Sequence, residues 1–213
     1  GMGRSDRSVV EGRMGIPYGD GQATLKETVE IVRRLLSGQE VTSHTGRFRL
    51  SGARLAVRPV AERVPIYLGA IGPRALRLAG AVADGVLLNA YTPTRYITYA
   101  VAEVRDAARE AGCDPLSVDI ACMLVVRQTD APEAIWDSLK ERLVRLLDER
   151  NVGEVLLEKG GFDPAILGPL RASVAKDGGN DAVHLISDEM VEAFYLVGPA
   201  ARVMERVGEY RAA

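Results

Sequence analysis

Apolar positions along this chain switch between a helical period and short unbroken runs, and the switches fall at Gly, Pro, Asp and Thr. Leu25, Val29, Val32 and Leu36 recur three and four residues apart, which puts them on one helix face. Thr24 and Glu27 have the spacing of a capping box at its start, and Gly38 stops it. Val41 to Leu50, with Thr45-Gly46 at the centre, reads as a short hairpin. Val64 to Ala70 is an apolar run ending in glycine, hence a buried strand, and Pro73 opens a helix carrying Leu76, Leu78, Ala79 and Val82. Asp84-Gly85 turns the chain into a second buried strand, Val86 to Asn89. Thr92-Pro93 then opens a long helix that Gly112 closes. Val118 to Val126 is a third strand, followed by a helix from Asp130 and Pro132 through Arg150.

Strands that are nearly continuous in apolar residues and alternate with helices indicate a parallel sheet covered by helices. The fold class is α/β. The flanks are less regular. Gly1 to Asp20 lacks a period and reads as a loop, and Val152 to Leu157 is a strand by length or part of a helical insertion. Helices are expected from Pro164 to Lys176 and from Ser187 through Phe194. Leu196 to Pro199 is a minimal strand-to-helix turn into a last helix carrying Val203 and Val207.

Composition narrows the classes of function. The chain has 213 residues, 47% hydrophobic and 26% charged, enough for one sizeable core and a single domain over 1–213. Net charge is -2 and aromatic content 5%, so nothing draws it to nucleic acid or to an anionic membrane. No apolar run approaches a membrane span and no secretion signal is legible, so a cytoplasmic protein is expected. Cys113 and Cys122 make no disulfide framework. His44 and His184 lie far apart without a local carboxylate pattern, so no metal site is expected.

Ligands of parallel α/β folds bind where strands end, so strand-end loops are the places to look. Gly69-Ala70-Ile71-Gly72-Pro73 joins a strand to a helix, and its glycines let backbone N–H groups and the helix N-terminus approach an anion. Taken alone, such a loop is more often a tight turn than a phosphate site, and Pro73 removes one donor. Asn89-Ala90-Tyr91-Thr92 follows the next strand, with Thr92 an anion contact or a helix N-cap. Asp6 is a general acid or a solvated loop carboxylate. Cys122 and Trp136 read as packing residues.

Val64 to Gly80 followed by Ala83 to Asn89 resembles the bacterial luciferase-like superfamily, and within it the methylenetetrahydromethanopterin reductase-like, coenzyme F420-dependent oxidoreductases. Gly1 to Asp6 is similar to that family's glycine-rich end of the fourth barrel strand, and Ser187 to Pro199 to its late segment. The resemblance implies a TIM-barrel-like fold, a bound coenzyme F420 or FMN, and hydride transfer to or from a small organic substrate. By the same resemblance Gly69, Ala70 and Gly72 hold the cofactor phosphate, Asn89 and Thr92 add contacts, and Asp6 donates a proton. That last role requires burial to raise its pKa.

The resemblance also implies an incomplete barrel of parallel strands and outer helices, lacking the first three strands and ending before the eighth. Gly1 ahead of Met2 reads as the remnant of a cleaved tag. Unpaired sheet edges then call for a homo-oligomer, or for a longer protein of which this is a piece. Two further functions compete with the oxidoreductase: a non-catalytic flavin- or phosphate-binding remnant, and a structural remnant that binds nothing.

Overall fold

The computed structural model of this chain describes residues 1–5, 7–57, 59–61 and 63–213. It divides into two compact units. The first comprises Gly1–Leu87 and Glu103–Ala121, the second Leu88–Ala102 and Cys122–Ala213.

In the first unit, helix α1 (Gly21–Leu36) buries Leu25 and Val29. Its cap is Asp20, whose carboxylate accepts from the amides of Gln22 and Ala23, and not Thr24, which lies inside the first turn. An extended Asp just ahead of a helix offers the orphan amides a charged acceptor, and the Thr24 hydroxyl has no such reach. Glu27 instead accepts from the Arg47 amide at 2.9 Å. That bond ties the helix to the turn between antiparallel strands β1 (Val41–Ser43) and β2 (Leu50–Ala53).

Then follow β3 (Tyr67–Ala70), α2 (Pro73–Val82), β4 (Gly85–Leu88), α3 (Thr94–Glu110) and β5 (Asp119–Cys122), with strand order β3-β4-β5. The Asp119 amide bonds to the Asp84 carbonyl and the Met123 amide to the Leu88 carbonyl, the same offset twice, so β4 and β5 run parallel. Met2 adds to the other side of the sheet, through a parallel bridge to Leu68 with two bonds of 2.8 Å. The opening block is therefore more than a loop: it contributes this edge residue and a π-helical turn at Ser8–Arg13. Leu68, Val86 and Leu76 are buried at the centre of this sheet-and-helix layer. Gly80 in α2 lies so close to α3 that a Cβ there would collide with the Val104 carbonyl oxygen.

The second unit holds the parallel pair β6 (Val126–Gln128) and β7 (Leu196–Gly198), in register Val126 with Leu196 and Gln128 with Gly198. The single strand expected over Val118 to Val126 is thus two, β5 and β6, interrupted at 123–125. Helices α4 (Trp136–Asp148), α5 (Val152–Gly160), α6 (Leu167–Asp177), α7 (Asp188–Phe194) and α8 (Ala200–Ala212) complete it. The ambiguous Val152 to Leu157 is helical, burying Leu156 and Leu157 among other apolar side chains of this unit. Leu196 to Gly198 is the strand of the expected strand-to-helix turn, paired along β6. The described residues form these separate ladders, antiparallel at β1-β2 and with parallel strands elsewhere, and do not close a barrel.

Candidate functional site

Gly69 and Ala70 end β3, and Gly72 is the N-cap residue of α2, all in the first unit. The Gly69 amide is held by the Met2 carbonyl at 2.8 Å. Gly72 is extended (φ −86°, ψ 159°), so its lack of a side chain is not required by backbone geometry. No side chain caps α2, and a Cβ on Gly72 would find nothing within 4 Å. The helix therefore opens with its positive dipole end uncovered, Pro73 at its first position, and space above it. That combination accepts an anion such as a phosphate.

Asn89 and Thr92 lie together on the loop after β4, in the second unit. Thr92 is 1% exposed. Its Oγ1 donates to the Asn89 carbonyl at 3.2 Å and sits 3.4 Å from Cys122 Sγ. Its carbonyl accepts the Tyr210 hydroxyl at 2.7 Å. Cys122, expected in a strand core, stands half-buried at the end of β5. Burial pushes its thiol pKa up, against the opposing bond to Thr92. Burial likewise pushes the Tyr210 phenol up to about 12. Both groups are thus neutral at physiological pH and serve as hydrogen-bond partners, not as charges. Between Asn89 and Thr92, at Tyr91, the backbone is left-handed with φ 62°.

The structure thus brings Gly69, Ala70 and Gly72 together on one loop, and Asn89 and Thr92 together on another. Asp6 lies outside the described residues. His44, His184 and Cys113 are exposed, and Trp136 is half-buried. Among the described residues no group of three or more His, Cys, Asp or Glu is placed to hold a metal. Sequence reasoning passed over Tyr91, Tyr195 and Tyr210, because no local motif marks them. A cavity of about 600 Å³ at the amino end of β3 is lined by Arg33, Leu36, Ser37, Arg63 and Val64. Both of its arginines are engaged by Asp84.

Comparison with known proteins adds to this geometry. The family model described as luciferase-like monooxygenase matches residues 1–213. The 5,10-methylenetetrahydromethanopterin reductase of Methanolobus tindarius is 32% identical over 210 residues, covering 98% of this chain and 63% of that protein. The F420-dependent glucose-6-phosphate dehydrogenase of Nakamurella multipartita is 35% identical over 133 residues, 62% of this chain and 39% of that protein. In fold, the chain superposes on the coenzyme F420 dependent tetrahydromethanopterin reductase of Methanopyrus kandleri with a TM-score of 0.81 at 23% identity, covering 99% of this chain and 64% of that one. The chain spans 63% of the length of the first curated relatives. No helix among the described residues is long and apolar enough to cross a membrane.

Proposed function

We propose, from the premise that this chain belongs to the luciferase-like monooxygenase family, that it is a cytoplasmic, homo-oligomeric oxidoreductase moving a hydride between coenzyme F420 and a small organic substrate. FMN is the alternative cofactor. The observation that carries the reading is the open start of α2, where Gly72 leaves the helix uncapped and a phosphate has both donors and room. Coenzyme F420 leads FMN because that cofactor is named for the Nakamurella multipartita dehydrogenase and the Methanopyrus kandleri reductase.

Once bound, the cofactor would give or take the hydride, and the protein supplies orientation and proton management. Gly69, Ala70 and Gly72 are assigned to line the phosphate, with the open start of α2 at Gly72 supplying the helix dipole while the Gly69 amide stays on the Met2 carbonyl. Asn89 and Thr92 are assigned to further cofactor contact, with Thr92 fixing the carbonyl of Asn89. Asp6 is assigned the proton donor. The test is a fluorescence titration of the chain with coenzyme F420 and, separately, FMN. Saturable micromolar binding of coenzyme F420 is expected, with FMN weaker. Binding of neither would refute the reading. With turnover established on a reduced or oxidised substrate, Asp6→Asn is expected to lower kcat by about 10²-fold or more at unchanged cofactor Kd. An unchanged kcat would remove Asp6 from the mechanism.

A further inference from the structure

The loop after β4 is held in a conformation that its own residues do not favour. Tyr91, at φ 62°, is one of two non-glycine residues in the left-handed region among those described, the other being Asn151. A bulky side chain stays there only where neighbours impose it. The neighbours are two tyrosines from the far end of the chain, both in the second unit. The Tyr91 ring meets the Tyr195 ring edge-on, centroids 5.2 Å apart and planes at 78°. Tyr195 is fully buried and is itself anchored by its hydroxyl, which donates to the Leu139 carbonyl at 3.2 Å. The Tyr210 hydroxyl, on α8, lies 2.7 Å from the Thr92 carbonyl and 3.2 Å from that of Ala193. A phenol has one proton to give, and the shorter contact is the one to the loop.

We infer that Tyr210 is a positioning residue for the candidate site. Its hydroxyl on the Thr92 carbonyl, with Tyr195 braced against Tyr91, keeps the loop 89–92 in the left-handed geometry that fixes where Asn89 is presented. Helix α8 thereby governs a ligand loop that it does not belong to. The part of this inference that concerns a ligand rests on the oxidoreductase reading above; the clamp itself does not.

The test is Tyr210→Phe in the full chain, which keeps the ring against Arg206 and loses only the hydroxyl. Amide exchange is followed residue by residue, with the β6–β7 amides as internal reference, and coenzyme F420 binding is titrated in parallel. At Ala90, Tyr91 and Thr92, exchange at least fivefold faster is expected, with Arg127 and Val197 unchanged and the Kd at least fivefold weaker. Unchanged exchange at the loop in Tyr210→Phe overturns the clamp. Faster exchange with an unchanged Kd overturns the positioning role. If the parent chain binds neither cofactor, the oxidoreductase reading fails, and loop exchange alone then decides for or against the clamp.

Discussion

Asp84 shows how much one side chain holds in place in the first unit. Its carboxylate is 10% exposed, accepts the Ile66 amide at 2.8 Å, and pairs with Arg33 at 3.1 Å and with Arg63. Burial pushes its pKa up, but the Ile66 amide and the two guanidiniums outweigh that and hold it below the ordinary carboxylate range. A depressed folded value means the stabilisation is present above the unfolded pKa of about 3.9 and is lost as pH falls through the lower folded value. Asp84→Asn is therefore expected to cost about 2 kcal/mol at neutral pH. It should also flatten the fall in stability on acidification. Urea unfolding at pH 7 and pH 3 checks both, and an acid dependence as steep as the parent's would contradict the assignment. Gly80 makes the opposite point about side chains. Gly→Ala within a helix ordinarily gains up to about 1 kcal/mol, yet here the added Cβ meets the backbone of α3 at Val104. Backbone cannot step aside as a side-chain tip can, so overpacking of about 1–3 kcal/mol wins and Gly80→Ala lowers Tm. A rise in Tm on thermal unfolding would show that α2 and α3 are less tightly apposed.

At the scale of elements, the start of α2 separates binding from stability. Gly72 has the extended backbone of an N-cap and open space around it, so Asp fits there and caps the helix, gaining a few tenths of a kcal/mol. The same carboxylate occupies the place of a phosphate and repels it. Gly72→Asp is thus expected to keep or raise Tm while weakening coenzyme F420 binding more than tenfold. Equal binding by parent and variant would move the anion elsewhere. This loop was legible in the sequence because a strand ending in glycine and a helix opening with proline are local signals. The helix periodicity of Leu25 and Val29 was legible for the same reason. The break between β5 and β6 was not, since Met123 to Val125 are as apolar as a continuing strand. The cap of α1 was misplaced by four residues for a related reason: Thr24 and Glu27 match a capping box, but Asp20 is the stronger acceptor. The clamp on Tyr91 was invisible, because its partners Tyr195 and Tyr210 come from distant segments and carry no motif of their own.

Among the described residues the strands form short separate ladders, each with unpaired outer edges. Unpaired edges template association, so a homo-oligomer is expected by light scattering. A monodisperse monomer whose edge amides are protected from exchange would contradict it. The proposed ligand is an anionic cofactor on the loop after β3, where the uncapped start of α2 leaves room for it. The most direct test is a spectrum of the chain labelled with ¹⁵N at glycine, titrated with coenzyme F420. The Gly69 and Gly72 amide signals are expected to move saturably, while that of Gly168 on α6 stays fixed. Stationary Gly69 and Gly72 signals at saturating cofactor would contradict the account at its centre.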